Sequence, residues 1–223
     1  LWDVIIDVLN TDYVKSSVKN IPIDQELAIE GVEAEIFSDY ENINRVNVYI
    51  AVNEFNDERG VQVQAHYECN VRDRSKSDLV LALYIPRKYS DIPDFERWLE
   101  FDLADALSHE LQHSCDTTEM LTADIPEGEE KWQSIDHIYR HFASDAETRG
   151  YVAGILGRGR RMEMRGNLVD YNQLLTDELV GRVFDQALLR GYSAEELHPV
   201  MNSIATKWDQ RMTDSLERAG AVD

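Results

Sequence analysis

Leu103-Ala104-Asp105-Ala106-Leu107-Ser108-His109-Glu110-Leu111-Gln112-His113 is the stretch from which the rest of the chain is read. Leu103, Leu107 and Leu111 recur at helical spacing and make an apolar stripe, and Ala106, His109 and His113 make the stripe beside it. Histidines at i and i+4 on a helix are separated by about 400° of turn, so both imidazoles project from nearly the same face, about 6 Å apart along the axis. One ion at about 2.0–2.1 Å from each nitrogen can then be shared. Glu110 points to one side of the pair, where a carboxylate reaches a water on such an ion without displacing a ligand. That placement suits a general base.

A zinc site of this kind takes a third protein ligand and keeps one position for water. Ser144 to Gly154 is where the sequence offers it. Glu147 shares its helical stripe with Ala143, Gly150 and Gly154, small residues that let two helices approach closely. Asp145 is the competing carboxylate, and it would serve equally as a helix cap or as a group orienting a ligand. Asp105 and Asp116 flank the two histidines and are candidates to orient an imidazole, although solvation is the commoner fate of such residues. An oxyanion formed during hydrolysis needs a donor besides the metal. Tyr139, His141, Arg149 and Tyr151 are the candidates, and spacing alone does not choose among them.

Elsewhere the first half reads as strands. Val46, Val48, Ile50 and Val52 alternate with Asn47, Tyr49, Ala51 and Asn53. Val61, Val63, Ala65 and Tyr67 repeat the pattern beyond a turn-like Asn56–Gly60, so the two runs are predicted to pair as an antiparallel hairpin. Leu79–Ile85 is a third strand and Glu33–Phe37 a fourth. From Leu103 on, helical spacing takes over, through Ile138, Phe142, Ala146, Arg149, Val152 and Leu156, then Leu179, Val183, Phe184, Ala187 and Leu188. Ser193-Ala194-Glu195-Glu196 is a capping box that opens a last helix running past Pro199 to Ala219. Gly157–Arg161 reads as a solvated helix end. Strands followed by helices without alternation predict an α+β domain, 1–223, strand-rich over 1–90 and helical over 91–223.

With 43 acidic and 22 basic residues the net charge is -21, which repels phosphate backbones and argues against nucleic acid and anionic membranes as partners. Basic peptide segments would be attracted. No apolar run approaches the roughly 18–20 residues of a membrane span, and Leu1–Asp7 is too short and acidic for a signal peptide. Cys69 and Cys115 are no disulfide framework; reduced thiols and a cytoplasmic setting are expected, with Cys115 in buried packing.

With Glu147 on a following helix, His109–His113 resembles the zincin metallopeptidases of the Glu-ligand type, the gluzincins. Asp145–Leu156 is similar to the second-ligand helix of compact zincins related to the ImmA/IrrE peptidases. The resemblance spans Leu103 to Leu156. It implies one Zn²⁺ held by His109, His113 and Glu147, with Glu110 as base, acting on a peptide or protein substrate. It also implies a zincin-like fold, in which a small, mainly antiparallel sheet is followed by an active-site helix, a second-ligand helix and a C-terminal helical region. Thr148 and Gly154 depart from the family pattern, which has Ala and often an acidic residue there. Ser114–Glu119 lacks the further histidine of metzincins. In zincins an edge strand beside the active helix pairs with the substrate backbone. Leu79–Ile85 comes in the right order for that role, while its apolar run equally fits an interior strand. The helical region 167–223 has no counterpart in the resemblance and motivates an alternative, a metal-stabilised binding or assembly protein of zincin fold without proteolytic activity.

Overall fold

The computed structural model describes residues 2–22, 25–29, 43–52, 62–70, 72–121 and 123–220. The expected strand at Glu33–Phe37 and the turn at Asn56–Gly60 lie outside them. The fold class is α+β, and the chain divides into two compact units, Leu1–Cys115 and Asp116–Asp223.

The first unit opens with helices α1 (Trp2–Leu9) and α2 (Asp12–Asn20), where the strand-rich reading of this half expected none. Ile5 and Leu9, then Val14 and Val18, stand four apart and are buried, and Thr11 Oγ1 accepts the Val14 N–H at 3.3 Å to cap α2. Side chains from the segment after the sheet close both helices. The Tyr89 hydroxyl donates to the Leu9 carbonyl, and Arg87 donates to the carbonyls of Val18, Lys19 and Ile21.

Four strands follow: β1 (Glu26–Ile29), β2 (Arg45–Val52), β3 (Gln62–Glu68) and β4 (Asp78–Ile85). Their order is β1-β2-β4-β3, so the sheet is mixed: β1–β2 and β4–β3 are antiparallel and β2–β4 is parallel. The hairpin predicted between β2 and β3 does not form, because β4 lies between them. Leu79, Leu81, Leu83 and Ile85 are fully buried in that central place. They match Val46, Val48, Ile50 and Val52 across one ladder, and Val63 and Tyr67 lie opposite Leu83 and Leu79 across the other. A strand with apolar residues along one whole face gains more burial between two neighbours than at a margin. Of the two readings of Leu79–Ile85, edge and interior, the structure gives the interior one. Among the described residues the margins are β1 and β3. The unit is completed by α3 (Phe95–Ser114), the helix of the two histidines, which packs along β3.

The second unit is helical: α4 (Thr118–Leu121), α5 (Ile135–Phe142), α6 (Asp145–Met164), α7 (Tyr171–Leu179), a π-turn at Val180–Phe184, α8 (Asp185–Leu189) and α9 (Ala194–Arg218). The helix expected around Leu179–Leu188 is thus α7 and α8 joined through the π-turn, with Leu179, Val183 and Ala187 facing the core. The capping box at Ser193 and Glu196 forms as read. Trp208 of α9, fully buried, stacks on Tyr151 of α6 with ring centroids 4.7 Å apart. The Gly157–Arg161 cluster is not a helix end, because α6 continues to Met164; Arg160 is exposed but Arg161 is turned inward and buried.

Where α6 meets α7 the backbone of Gly159 lies against the Tyr171 ring, and a methyl group there would fall 2.3 Å from a ring carbon. Gly159→Ala is expected to destabilise the second unit by about 1–3 kcal/mol, seen as a lower urea midpoint. Burial, reinforced by the Glu163 carboxylate, pushes the Tyr171 phenol up from 10.0 to about 12. Folding thus favours the neutral phenol, and this contribution is complete below about pH 10 and lost as pH rises toward about 12. Tyr171→Phe should remove that part of the alkaline loss of stability in a pH series of denaturant melts.

Candidate metal centre

Leu103 and Leu107, both fully buried, seat α3 against the rest of its unit, and the adjacent stripe carries His109, half-buried, and His113, buried. Their rings meet edge to face with centroids 4.8 Å apart, and the two Nε2 atoms are 3.1 Å from each other. Two nitrogens each about 2.0–2.1 Å from a tetrahedral ion stand about 3.3 Å apart. The histidine pair therefore has the spacing that a shared zinc ion requires.

Glu110, next in sequence, is tied to the sheet. The main-chain N–H of Tyr67 donates to Glu110 Oε2 at 2.8 Å. Amides along an antiparallel strand face alternate sides, and β3 has β4 on one side only, so the Tyr67 amide is directed out of the sheet's margin toward α3. This contact could not be read from spacing, because it depends on which strand ends up at the edge.

In the second unit Glu147 stands in the first turn of α6, whose cap is Ser144: its Oγ accepts the Glu147 N–H at 3.2 Å. The corner between α5 and α6 is held from α9. Trp208 Nε1–H donates to the Phe142 carbonyl at 2.8 Å and Lys207 Nζ to the Ala143 carbonyl at 2.7 Å. These are orphan acceptors at the end of α5, and supplying them with donors fixes where α6 begins. His141 Nε2 lies 3.8 Å from Glu147 Oε2 and 3.5 Å from Lys131 Nζ. Burial pulls the Lys131 amine below its ordinary range, and the Glu147 charge is the largest influence opposing that fall. Lys131, in a single 3₁₀ turn, was missed by the sequence reading, which offered no element there. Asp145, the competitor of Glu147, sits exposed in the same turn of α6.

Of the four candidate oxyanion donors, Tyr151 belongs to the core beside Trp208 and Phe142. Arg149 pairs with Asp116 at 3.2 Å, a carboxylate with no exposed surface. The amine of Lys207 lies over the Tyr139 ring. His141 is the one that neighbours Glu147. Asp105 and Asp116 are both buried rather than solvated. Cys115, expected in the interior, is exposed; it follows the last turn of α3, and the burial there falls to Ser114 and Asp116 on either side.

Among the described residues, the first unit thus presents the His109–His113 pair as donors suited to a metal ion, and in the second unit Glu147 is a half-buried carboxylate at the start of α6. No helix of the described residues is long and apolar enough to cross a membrane. Compared with protein-family models, curated proteins and solved structures, the chain matches none.

The two roles of Glu110 are separable by substitution. Glu110→Gln keeps an oxygen acceptor for the Tyr67 amide, whereas Glu110→Ala removes it. The alanine variant should lose about 0.5–1.5 kcal/mol of stability relative to the glutamine variant in denaturant melts, the net value of a hydrogen bond between neutral groups.

Proposed function

We propose that the chain is a zinc-dependent peptidase, with one Zn²⁺ held by His109, His113 and Glu147 and with Glu110 as the general base. The observation that carries this reading is the convergence of the His109 and His113 Nε2 atoms beside a carboxylate already immobilised on the sheet. Zinc, when bound, supplies a Lewis acid that polarises a carbonyl and makes water nucleophilic near neutral pH.

The protein's own groups do the rest. Glu110 takes the proton of the attacking water and returns it to the leaving amine. Glu147 supplies the anionic ligand, seated by the Ser144 cap and neighboured by His141. His141 is also the preferred donor to the developing oxyanion, since Arg149 and Tyr151 are already engaged. With a net charge of -21, segments rich in lysine and arginine are the favoured substrates.

The test combines metal content with cleavage. Protein purified without added metal should contain zinc at one ion per chain, and it should cut members of a broad peptide library. His113→Ala and Glu147→Ala should each weaken zinc binding by more than the roughly 10–100-fold that outer-layer partners of a metal are worth. Glu110→Gln should keep zinc and lose cleavage. Hydrolysis undiminished in that variant would refute the assigned base. Stoichiometric zinc with no cleavage of any library member would point instead to a metal-stabilised binding protein.

A further inference from the structure

We infer that the main-chain amide of Tyr67 is a positioning group for Glu110, holding the base by one oxygen and leaving the other to handle the proton. The inference rests on the peptidase reading above and goes beyond it, because it assigns a role to an atom that no side-chain motif contains.

A glutamate on a helix surface swings about three side-chain bonds, so a base that must meet one water needs a restraint. Here the restraint comes from outside the helix. The Tyr67 N–H donates to Oε2 at 2.8 Å, a charge-assisted bond once the carboxylate is ionised. The donor itself has little freedom. Tyr67 is paired in register with Leu79 of β4, the residue is 5% exposed, and Leu79 is fully buried. An amide in that setting cannot turn away, and it directs Oε2 toward the sheet. The proton-transfer work is thereby assigned to Oε1. The arrangement also ties the sheet margin to the helix that carries both histidines, so a shift of β3 would displace the base without touching either imidazole.

Side-chain substitution at Tyr67 cannot test this, since every residue except proline keeps the amide. Replacing Tyr67 by its α-hydroxy acid through nonsense suppression converts the N–H to an ester oxygen and keeps the ring. The same change at Ala65, whose amide faces the same margin, is the control. The Tyr67 ester is expected to lower kcat by about 10–100-fold, the scale of groups that orient a catalytic residue. KM and bound zinc should stay unchanged, and the Ala65 ester should leave kcat near the original value. The stability lost on esterification at Tyr67 should largely disappear when Glu110 is already alanine, because the partner is gone. An unchanged kcat in the Tyr67 ester would overturn the inference. So would an equal fall in the Ala65 ester, or a stability loss that persists in full with Glu110→Ala. Were the original protein to cleave nothing, the peptidase reading would fall, and the stability cycle would still decide whether the amide and Glu110 are coupled.

Discussion

Burial of one face of β4 is the constraint from which the first unit follows. Leu79, Leu81, Leu83 and Ile85 lose all contact with solvent only if β4 has a strand on each side and helices over that face. At about 0.8 kcal/mol per buried methylene, withdrawing four large aliphatic side chains outweighs the convenience of pairing β2 with its neighbour in sequence. β2 and β3 are thus driven apart, and β3 becomes the margin that α3 packs along. The Tyr67 amide, unused by the ladder, then faces Glu110. A preference of the core thereby sets the geometry of a candidate catalytic group.

A comparable dependence governs the second unit. Glu147 is placed by where α6 begins, and that point is set by the corner after α5. The Phe142 and Ala143 carbonyls would be left without partners there, and Trp208 and Lys207 supply the missing donors from a helix more than sixty residues further along. The stacking of Trp208 on Tyr151 holds the same corner from the apolar side. The long C-terminal helix is therefore part of what carries the third proposed ligand.

Asp116 is spent on Arg149, and Lys131 stands with His141 behind Glu147. The histidine pair, the anchored Glu110 and the capped Glu147 each have a physical support within their own unit.

The sequence by itself determined what short-range periodicity and local chemistry control. His109 and His113 share a helix face because 3.6 residues make a turn, and their convergence needed no tertiary information. The alternation of Val46 to Val52 and the capping box at Ser193 likewise formed as read. Ile5, Leu9, Val14 and Val18 carry a helical spacing that the strand-rich expectation for residues 1–90 does not use. Only the tertiary structure decided which strands are neighbours, because pairing depends on the total burial of the sheet and not on adjacency in the chain. It also decided that Arg161 turns inward, that Cys115 faces out and that Lys131 lies behind His141. The most consequential of these decisions, the hydrogen bond from Tyr67 to Glu110, is invisible in the sequence, since every residue but proline has an amide and only the fold selects which one meets Glu110.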